Sequence, residues 1–434
     1  MLHPMPLART AACLRRGDIG LLAFTEMVLN RLDDMDPQLQ AFLPEPGRHE
    51  RVMRAAQATL ERWPEPDVRP PLFGVPLGVK DIYRVDGLPT SVGSALPAAL
   101  FESAQADCVT RLQRAGALVL GKTVTTEFAC FEPGPTRNPH NPAHTPGGSS
   151  SGSAAAVAAG ECALALGSQT IGSVIRPAAF CAVVGFKPGY GRIDAEGVVY
   201  VARSLDHVGL FTQDVAGMRL AASLLCHNWR EVCTARKPTL AALAGPMLEL
   251  LDDEGRAGYE GQLEALQRAG YAIQRVTLFE DHVSMEDLHR SLMACEMSRE
   301  HQLWFEAHEA TYRSGTAELI RRGLKVDPVT VERARASQAR TRQELHNRMD
   351  AAGIDLWLSP PATGPAPAGI GHTGDPVMNL PWTHAGLPSL SIPAGRASNG
   401  LPLGLQISSR HGADEFLLHQ ASGLEEALSG LNTR

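Results

Sequence analysis

Two short segments of this chain concentrate serine and glycine in a pattern suited to nucleophilic chemistry. The first is HTPGGSSSGS at residues 144–153, and an alanine-rich stretch follows it directly, without the change in composition expected across a flexible linker. The second segment, residues 168–181, has Gly172 directly before Ser173. A glycine there permits a tight turn in which consecutive backbone N–H groups point at one spot. Such a cluster of donors can stabilise an oxyanion, so the two segments predict a serine-based active site.

Lys80 is a further residue whose type and surroundings suggest chemistry. Only five of the 40 basic residues are lysines, so surface charge is left mostly to arginine. Lys80 lies in the apolar run VPLGVKDI at residues 75–82. Burial can lower a lysine pKa by up to ~3–5 units from ~10.4, whereas arginine keeps its proton. Lys80 is therefore a candidate base, and the alternative is a surface lysine with a buried stem.

The order and wording of these segments resemble the amidase signature family. The resemblance covers about half of the chain densely, and a long ordered set of segments is more specific than any short motif. The similar segments are GVPLGVKD (74–81), GKTVTTEFA (121–129), GGSSSGSAAAVAAG (147–160), GSQTIGSVIRPAAFCAVVGFKPGYGR (167–192), SLDHVG (204–209), GDPVMNLPWTHAGLPSLSIPAG (374–395) and GLPLGLQI (400–407).

The resemblance implies a catalytic triad made of two serines and a lysine. Carried over by position, Ser173 is the nucleophile, Ser149 is a bridging serine after a cis peptide bond, and Lys80 is the base. A serine hydroxyl needs a base to take its proton, and no histidine lies near these segments in a triad-like pattern. A neutral Lys80 would accept the Ser173 proton through Ser149, and the reverse relay would protonate the leaving amine.

An oxyanion hole is the next feature that the resemblance implies. Its donors would be the backbone amides of Thr170, Ile171, Gly172 and Ser173. The common family motif Asp-Thr-Gly-Gly-Ser appears here as QTIGS, so Gln169 replaces the aspartate and Ile171 replaces a glycine. Backbone donors do not depend on those side chains, so we expect the hole to be retained.

Arg176 is the residue that points to a substrate class. The wording Ser-Val-Ile-Arg-Pro after the nucleophile resembles the malonamidase branch of the family, in which an arginine at this position holds the substrate carboxylate. A guanidinium grips a carboxylate through two parallel hydrogen bonds. The expected substrates are then small acid amides such as malonamate or a carboxylated urea, with plain aliphatic or aryl amides as further candidates. The alternative is a structural role, in which Arg176 binds backbone carbonyls or an acidic neighbour.

Two other motifs suggest competing chemistry. GALVLGKT at residues 116–123 matches the pattern of a phosphate-binding loop, but its middle is apolar, so we interpret Lys122 as structural. The GSSSG motif at 148–152 fits a nucleophile elbow and would make Ser150 the nucleophile of a serine esterase, with Asp375 and His384 as partners. No strand pattern precedes that motif, which disfavours the esterase.

A different class of function also fits the resemblance. Chains of this family serve as the A-type subunit of a glutamine-dependent tRNA amidotransferase, which supplies ammonia with partner subunits. Such a chain would show glutaminase activity that needs its partners. A catalytically silent relative is the remaining alternative, although all three catalytic residue types are present.

Interleaved strand and helix patterns predict one α/β domain, in which helices cover both faces of a mixed central sheet. Over the whole chain, 1–434, residues 1–70 would form N-terminal helices and residues 72–212 the signature core. Residues 213–350 are predicted to be a helical region that shapes the pocket, where SMED at 284–287 would begin a helix. Residues 351–434 would return to strands and loops, and their Gly/Pro-rich part would line the pocket.

Composition excludes several classes of protein. The net charge of −7 disfavours a nucleic-acid binder, and no apolar run reaches the ~18–20 residues of a membrane helix. Arginines interrupt the amino terminus, so we expect a cytoplasmic protein. The eight cysteines include no CxxC pair and are predicted to be buried thiols, and no metal motif occurs. We expect a small-molecule amide as the ligand, no metal or cofactor, and, from relatives, a homodimer.

Overall fold

The computed structural model describes residues 3–432, which form ten β-strands and fourteen α-helices. The strands are β1 (Pro76–Lys80), β2 (Leu118–Thr123), β3 (Leu164–Gln169), β4 (Val184–Lys187), β5 (His207–Thr212), β6 (Leu240–Ala244), β7 (Ile273–Thr277), β8 (Leu356–Ser359), β9 (Ser389–Arg396) and β10 (Pro402–Ser408). The helices are α1 (Leu7–Arg16), α2 (Leu21–Leu39), α3 (Arg48–Arg62), α4 (Asp107–Arg114), α5 (Ser151–Ala159), α6 (Ile175–Cys181), α7 (Val215–Leu225), α8 (Asp253–Arg268), α9 (His282–Glu300), α10 (Gln302–His308), α11 (Ser314–Gly323), α12 (Pro328–Ala352), α13 (Leu380–His384) and α14 (Asp414–Leu428).

All ten strands join one mixed sheet in the order β2-β1-β3-β5-β4-β9-β10-β8-β6-β7. The strands are parallel at the two ends of this order and antiparallel in the middle. Helices pack on the sheet in two groups: α5 contacts α6, whereas α14 contacts both α7 and α8. The predicted α/β domain with a mixed sheet covered by helices is therefore confirmed.

Helix α5 shows how the sequence builds the centre of the molecule. All nine of its residues are buried, and most are alanine, serine or glycine, so the helix lies close to β1, β2 and β3. A side chain at Gly152 would collide with the backbone of Ala41 and Val124. The helix ends at Gly160, whose left-handed backbone (φ 69°) terminates it as the sequence predicts.

The short apolar runs around residues 80, 120, 165, 185, 357, 390 and 405 all form strands of this sheet. Residues 213–350 contain helices, as expected, and the structure differs from the expectation at two points. This region contributes β6 and β7 in addition to its helices, because burial in a parallel sheet overrides the helix propensity of the sequence LAALA. Helix α9 begins at His282, so Ser284 lies inside the helix and cannot form the predicted capping box.

Within residues 3–432, no helix is long and apolar enough to cross a membrane. The same residues contain no group of three His, Cys, Asp or Glu side chains that could hold a metal ion. The eight cysteines are free thiols, as predicted, and five of them are buried. Cys233 is exposed, so the prediction of buried thiols is wrong for that residue.

Candidate active site

The site begins where two parallel strands end. Lys80 is the last residue of β1, and Ser168 lies next to the end of β3, with Val79 of β1 paired to Leu166 of β3. Parallel strands end at the same edge of a sheet, so these two side chains are brought together there. Crevices at the carboxyl ends of strands are the usual ligand sites of α/β sheets.

The Lys80 amine is fully buried and is surrounded by serine hydroxyls. Its Nζ lies 2.7 Å from Ser149 Oγ, 3.0 Å from Ser150 Oγ and 2.8 Å from Ser168 Oγ. Burial removes the ammonium form from water and lowers the pKa of Lys80 from 10.5 to about 7, although the Asp206 carboxylate partly opposes this shift. The full burial of Lys80 excludes the surface-lysine alternative.

The hydrogen bonds around Nζ suit a neutral amine, which has two N–H groups and one lone pair. The Ser150 hydroxyl donates to the Ser168 carbonyl at 3.2 Å, so its oxygen is free to accept from Lys80. Ser168 Oγ can accept the second N–H. The lone pair of Nζ then faces Ser149 Oγ, which can donate its proton to the amine.

Ser149 stands at an irregular point of the backbone. The peptide bond between Gly148 and Ser149 is cis, in agreement with what the resemblance implies. The Gly148 carbonyl accepts a hydrogen bond of 2.8 Å from Arg176 Nη2, and the Ser149 carbonyl accepts one of 3.3 Å from Thr126 N. The first bond ties the serine loop to the first turn of α6, which follows Ser173, and the second ties it to the segment after β2.

Ser173 is partly exposed and lies two residues before α6. Within residues 3–432, its hydroxyl forms no hydrogen bond. The structure therefore brings Lys80 and Ser149 into direct contact but does not close the second predicted bond, from Ser149 to Ser173. Catalytic hydrogen bonds are often long without substrate and tighten when it binds.

The carbonyl groups of the turn before Ser173 are all held by hydrogen bonds. Thr170 O accepts from His289 Nε2 at 3.1 Å, and Ile171 O accepts from Thr383 Oγ1 at 2.7 Å. Gly172 O accepts from Arg176 N at 3.1 Å. In a trans peptide the N–H points opposite to the carbonyl, so these bonds turn the next three N–H groups the other way.

Those three N–H groups belong to Ile171, Gly172 and Ser173. In the described part of the chain they donate to no acceptor. Buried backbone N–H groups are nearly always paired, and three consecutive unpaired ones form a concave site for an anion. The arrangement can stabilise a negative oxygen, which is what the oxyanion-hole prediction requires.

Gln169 explains why the turn tolerates the loss of the family aspartate. Its Oε1 accepts from Val174 N at 2.8 Å and from Ile175 N at 3.0 Å, and thereby satisfies two free N–H groups at the start of α6. Its Nε2 donates to Thr383 Oγ1 at 2.9 Å. The hydroxyl of Thr383 is therefore left to donate to Ile171 O.

Arg176 is almost fully buried, and most of its guanidinium binds the protein itself. Its Nε donates to Thr373 O at 2.8 Å, and Nη2 donates to Gly148 O and to Thr373 Oγ1. Nη1 has no partner within residues 3–432. Burial lowers the pKa of Arg176 to about 10, while the Asp375 carboxylate opposes the shift. The structural interpretation is thus correct for Nε and Nη2, whereas Nη1 is buried without a hydrogen-bond partner among the described residues.

Several residues of the site were missed by sequence reasoning. Asp206 accepts a hydrogen bond of 2.6 Å from Thr170 Oγ1, and burial raises its pKa to about 6. It lies in the SLDHVG segment, so the resemblance already contained a signal for it. His289 in α9 and Thr383 in α13 donate hydrogen bonds to carbonyls of the turn, and nothing in their local sequence pattern predicts these contacts.

The alternative nucleophile Ser150 is not assembled into an elbow. It is fully buried, and its hydroxyl contacts Lys80 and the backbone of Ser168. His384 binds His289 and Ser337 instead, and Asp375 accepts from the nearby Val377 N. The backbone before the motif, residues 145–147, forms no strand.

Lys122 has the structural role that its apolar surroundings predict. Its Nζ lies 2.7 Å from Asp81 Oδ1, and both side chains are almost completely buried. It also donates to Thr90 Oγ1 at 3.0 Å. A lysine paired with a buried carboxylate is not available to a phosphate, so GALVLGKT at residues 116–123 is not a phosphate-binding loop.

Lys122→Met is expected to lower the free energy of unfolding by about 3–5 kcal/mol, because it leaves the Asp81 carboxylate buried without its cation. Urea denaturation followed by circular dichroism measures this loss. The double variant Lys122→Met/Asp81→Asn is the control and should recover most of it. A loss below about 1 kcal/mol in the single variant would contradict the buried ion pair.

Comparison with known proteins defines the class to which this site belongs. The chain matches the amidase family over residues 23–418. It is 32% identical to the A-type subunit of glutamyl-tRNA(Gln) amidotransferase from Synechococcus sp. (strain WH7803), over 99% of this chain and 98% of that protein. A crystal structure of an amidase superposes with a TM-score of 0.87 at 30% identity and covers 98% of this chain and 100% of its own. The native peptide amidase from Stenotrophomonas maltophilia superposes with a TM-score of 0.82 at 26% identity, covering 98% and 97%.

This chain therefore belongs to the amidase family, and it is an enzyme that hydrolyses amide bonds. The family match spans strands and helices from both ends of the sheet, including those that carry the serine segments and Lys80. Membership of the malonamidase-like branch stays a prediction.

Proposed function

We propose that this enzyme hydrolyses small, non-peptide amides through an acyl-enzyme, with Ser173 as nucleophile and Ser149 and Lys80 as its proton relay. The observation that carries the proposal is the buried Lys80 amine, 2.7 Å from Ser149 Oγ, whose pKa of about 7 leaves a large neutral fraction at neutral pH. A base with a pKa near the working pH is the most effective proton acceptor.

In the proposed reaction, the substrate draws the free Ser173 hydroxyl toward Ser149. Ser173 Oγ attacks the amide carbon as its proton passes to Ser149 Oγ and the Ser149 proton passes to Lys80 Nζ. The tetrahedral oxyanion is stabilised by backbone N–H groups of this turn, for which the expected donors are Thr170, Ile171, Gly172 and Ser173. The relay then runs in reverse and protonates the leaving nitrogen, which departs as ammonia or an amine. Water attacks the acyl-enzyme by the same path and releases the carboxylate.

The proposed substrate class follows from the Nη1 group of Arg176, which has no hydrogen-bond partner among the described residues. We expect an amide that also carries a carboxylate, such as malonamate or a carboxylated urea, because Nη1 is a buried cationic donor without a partner. A substrate carboxylate would satisfy that donor and orient the amide against Ser173. The remaining donors of the guanidinium stay on Thr373 and Gly148.

Arg176→Lys is expected to lower kcat/KM for malonamate by about 10–100-fold more than for propionamide, since a lysine cannot retain both the loop bonds and the ligand contact. The neutral amide serves as an internal control for damage to the serine loop. Ammonia release from both substrates by wild type and variant measures the effect. An equal loss for the two amides would assign Arg176 to structure alone.

A second function is favoured by the names of the relatives. The amidotransferase chain from Synechococcus is similar along nearly the whole length of this protein, which could therefore act as a glutamine-hydrolysing component of an amidotransferase. The isolated chain, assayed on glutamine, malonamate and propionamide, separates the two functions. Turnover of the small amides without partners supports the hydrolase, whereas glutaminase activity that emerges only with partner subunits supports the amidotransferase.

The proposal includes a cytoplasmic location and a homodimer, both expected from the sequence and its resemblance. The relay uses only side chains of the chain and needs no metal or cofactor. Light scattering on the purified protein gives the oligomeric state directly.

A further inference from the structure

Three buried polar side chains, those of His289, His384 and Ser337, form a series of hydrogen bonds that ends at the oxyanion turn. His289 Nε2 lies 3.1 Å from Thr170 O, and His289 Nδ1 lies 3.2 Å from His384 Nδ1. His384 Nε2 lies 3.1 Å from Ser337 Oγ. The three residues belong to α9, α12 and α13, and all are buried.

The Thr170 carbonyl fixes which atoms donate and which accept along this series of hydrogen bonds. The Thr170 carbonyl can only accept, so His289 Nε2 carries a hydrogen and its Nδ1 is the bare nitrogen. His384 Nδ1 must then donate, and His384 Nε2 accepts from the Ser337 hydroxyl. Protonation of His289 would place two N–H groups against each other, so its bond to His384 requires a neutral His289, whereas a protonated His384 could still donate to the Ser337 hydroxyl.

The surroundings keep both rings neutral. Burial lowers the pKa of His384 to about 4, and the Arg340 charge acts in the same direction. Burial and the neighbouring His384 hold the pKa of His289 well below its usual value. Neither ring contacts the Ser173 or Ser149 hydroxyl, so the pair has no place in the proton relay.

We propose that His289, oriented by His384 and Ser337, is a positioning residue for the oxyanion hole. This inference rests on the proposed function of Ser173. The bond to Thr170 O holds one orientation of the Thr170–Ile171 peptide, in which the Ile171 N–H points toward the hole. Without that bond the peptide can rotate, and rotation replaces a donor with a carbonyl oxygen that repels the developing oxyanion.

The carbonyls of the two neighbouring peptides in the turn accept hydrogen bonds from other residues. Thr383 binds Ile171 O, and Arg176 N in α6 binds Gly172 O. The Thr170–Ile171 peptide is thus the one that depends on a side chain from residues 213–350. Helix α9 contributes to catalysis through this contact, at a distance from the reacting atoms.

The test compares two His289 variants that differ by one methylene. In His289→Gln, the side-chain amide can place Oε1 and Nε2 close to the two ring nitrogens, so it can still donate to Thr170 O. In His289→Asn the amide is too short to reach. We expect His289→Gln to keep kcat within about 5-fold of wild type and His289→Asn to lower it about 10–100-fold with KM changed less than about 3-fold, since loss of one oxyanion donor costs ~10²–10³.

Controls separate this role from simple destabilisation. His301 is a buried histidine in the aromatic cluster of Phe128 and Tyr312, and His301→Asn should lower stability without a selective fall in kcat. Active-site titration with a fluorophosphonate corrects each kcat for the folded fraction. Equal kcat values per titrated site for the Gln and Asn variants would overturn the inference. Retained activity in Ser173→Ala would instead overturn the proposed function on which the inference rests.

Discussion

Ser173→Ala is expected to lower kcat for amide hydrolysis by about 10⁴-fold or more, with little change in stability. The alanine removes the atom that forms the acyl-enzyme, and neither the oxyanion N–H groups nor Lys80 can replace it. The Ser173 hydroxyl makes no hydrogen bond within residues 3–432, so its loss should not disturb the fold. Ammonia release under saturating substrate measures kcat, and thermal denaturation checks the fold.

Ser150→Ala is the matched control, because it removes a hydroxyl only one residue from Ser149. Ser150 contacts Lys80 and Ser168 and is fully buried, so we expect a loss below about 100-fold from a perturbed Lys80. Mass spectrometry after fluorophosphonate labelling should locate the adduct on Ser173. An inactive Ser150→Ala beside an active Ser173→Ala would instead identify the esterase arrangement.

The contacts that sequence reasoning anticipated are those carried by contiguous segments. An apolar run around Lys80 predicts burial, and burial alone accounts for the direction of its pKa shift. Gly172 before Ser173 predicts a tight turn, and that turn presents unpaired N–H groups. The short apolar runs of the signature core predicted burial, but their periodicity fitted a buried strand and a short buried helix equally well.

The supports of the site could not be predicted, because they join residues far apart in the chain. His289 meets Thr170 across 119 positions, and Thr383 meets Ile171 across 212. A lone buried histidine or threonine has no periodic pattern that points to its partner. Strands β6 and β7 were missed for a related reason, since β6 pairs with β8 far along the chain and β7 is a partly exposed edge strand that pairs with β6.

A contact between distant positions also explains how the turn tolerates Gln169 in place of the family aspartate. The aspartate that Gln169 replaces is part of a contiguous motif, but the bond that keeps the turn in shape comes from Thr383 in α13. A carboxamide can accept two N–H groups and donate to Thr383 at once, whereas a carboxylate can only accept. The chemistry of the turn thus depends on a pairing between distant positions.

The pH dependence of kcat/KM should show an acidic limb with a midpoint near pH 7, because only the neutral Lys80 amine can accept the relayed proton. As the pH falls below 7 the amine is protonated, so the rate at pH 6 should be about one tenth of the plateau reached above pH 8. Lys80→Met should abolish the limb and lower kcat/KM by about 10²–10⁴-fold, the usual contribution of a general base. Initial rates between pH 5 and 9 on a neutral amide give the profile without interference from substrate ionisation.

Lys187 provides a matched control for this profile within the same molecule. It is also fully buried, and burial lowers its pKa to about 7, but among residues 3–432 the hydrogen-bond partners of its Nζ are only the carbonyls of Leu387 and Pro188. Lys187→Met should therefore alter stability and leave the midpoint of the acidic limb in place. Two lysines with similar pKa values then differ only in what surrounds the amine. If the acidic limb disappears in Lys187→Met and survives in Lys80→Met, the base is not Lys80.

A shift of the acidic limb to lower pH in Asp206→Asn would further support Lys80, because the Asp206 carboxylate raises the pKa of the Lys80 amine.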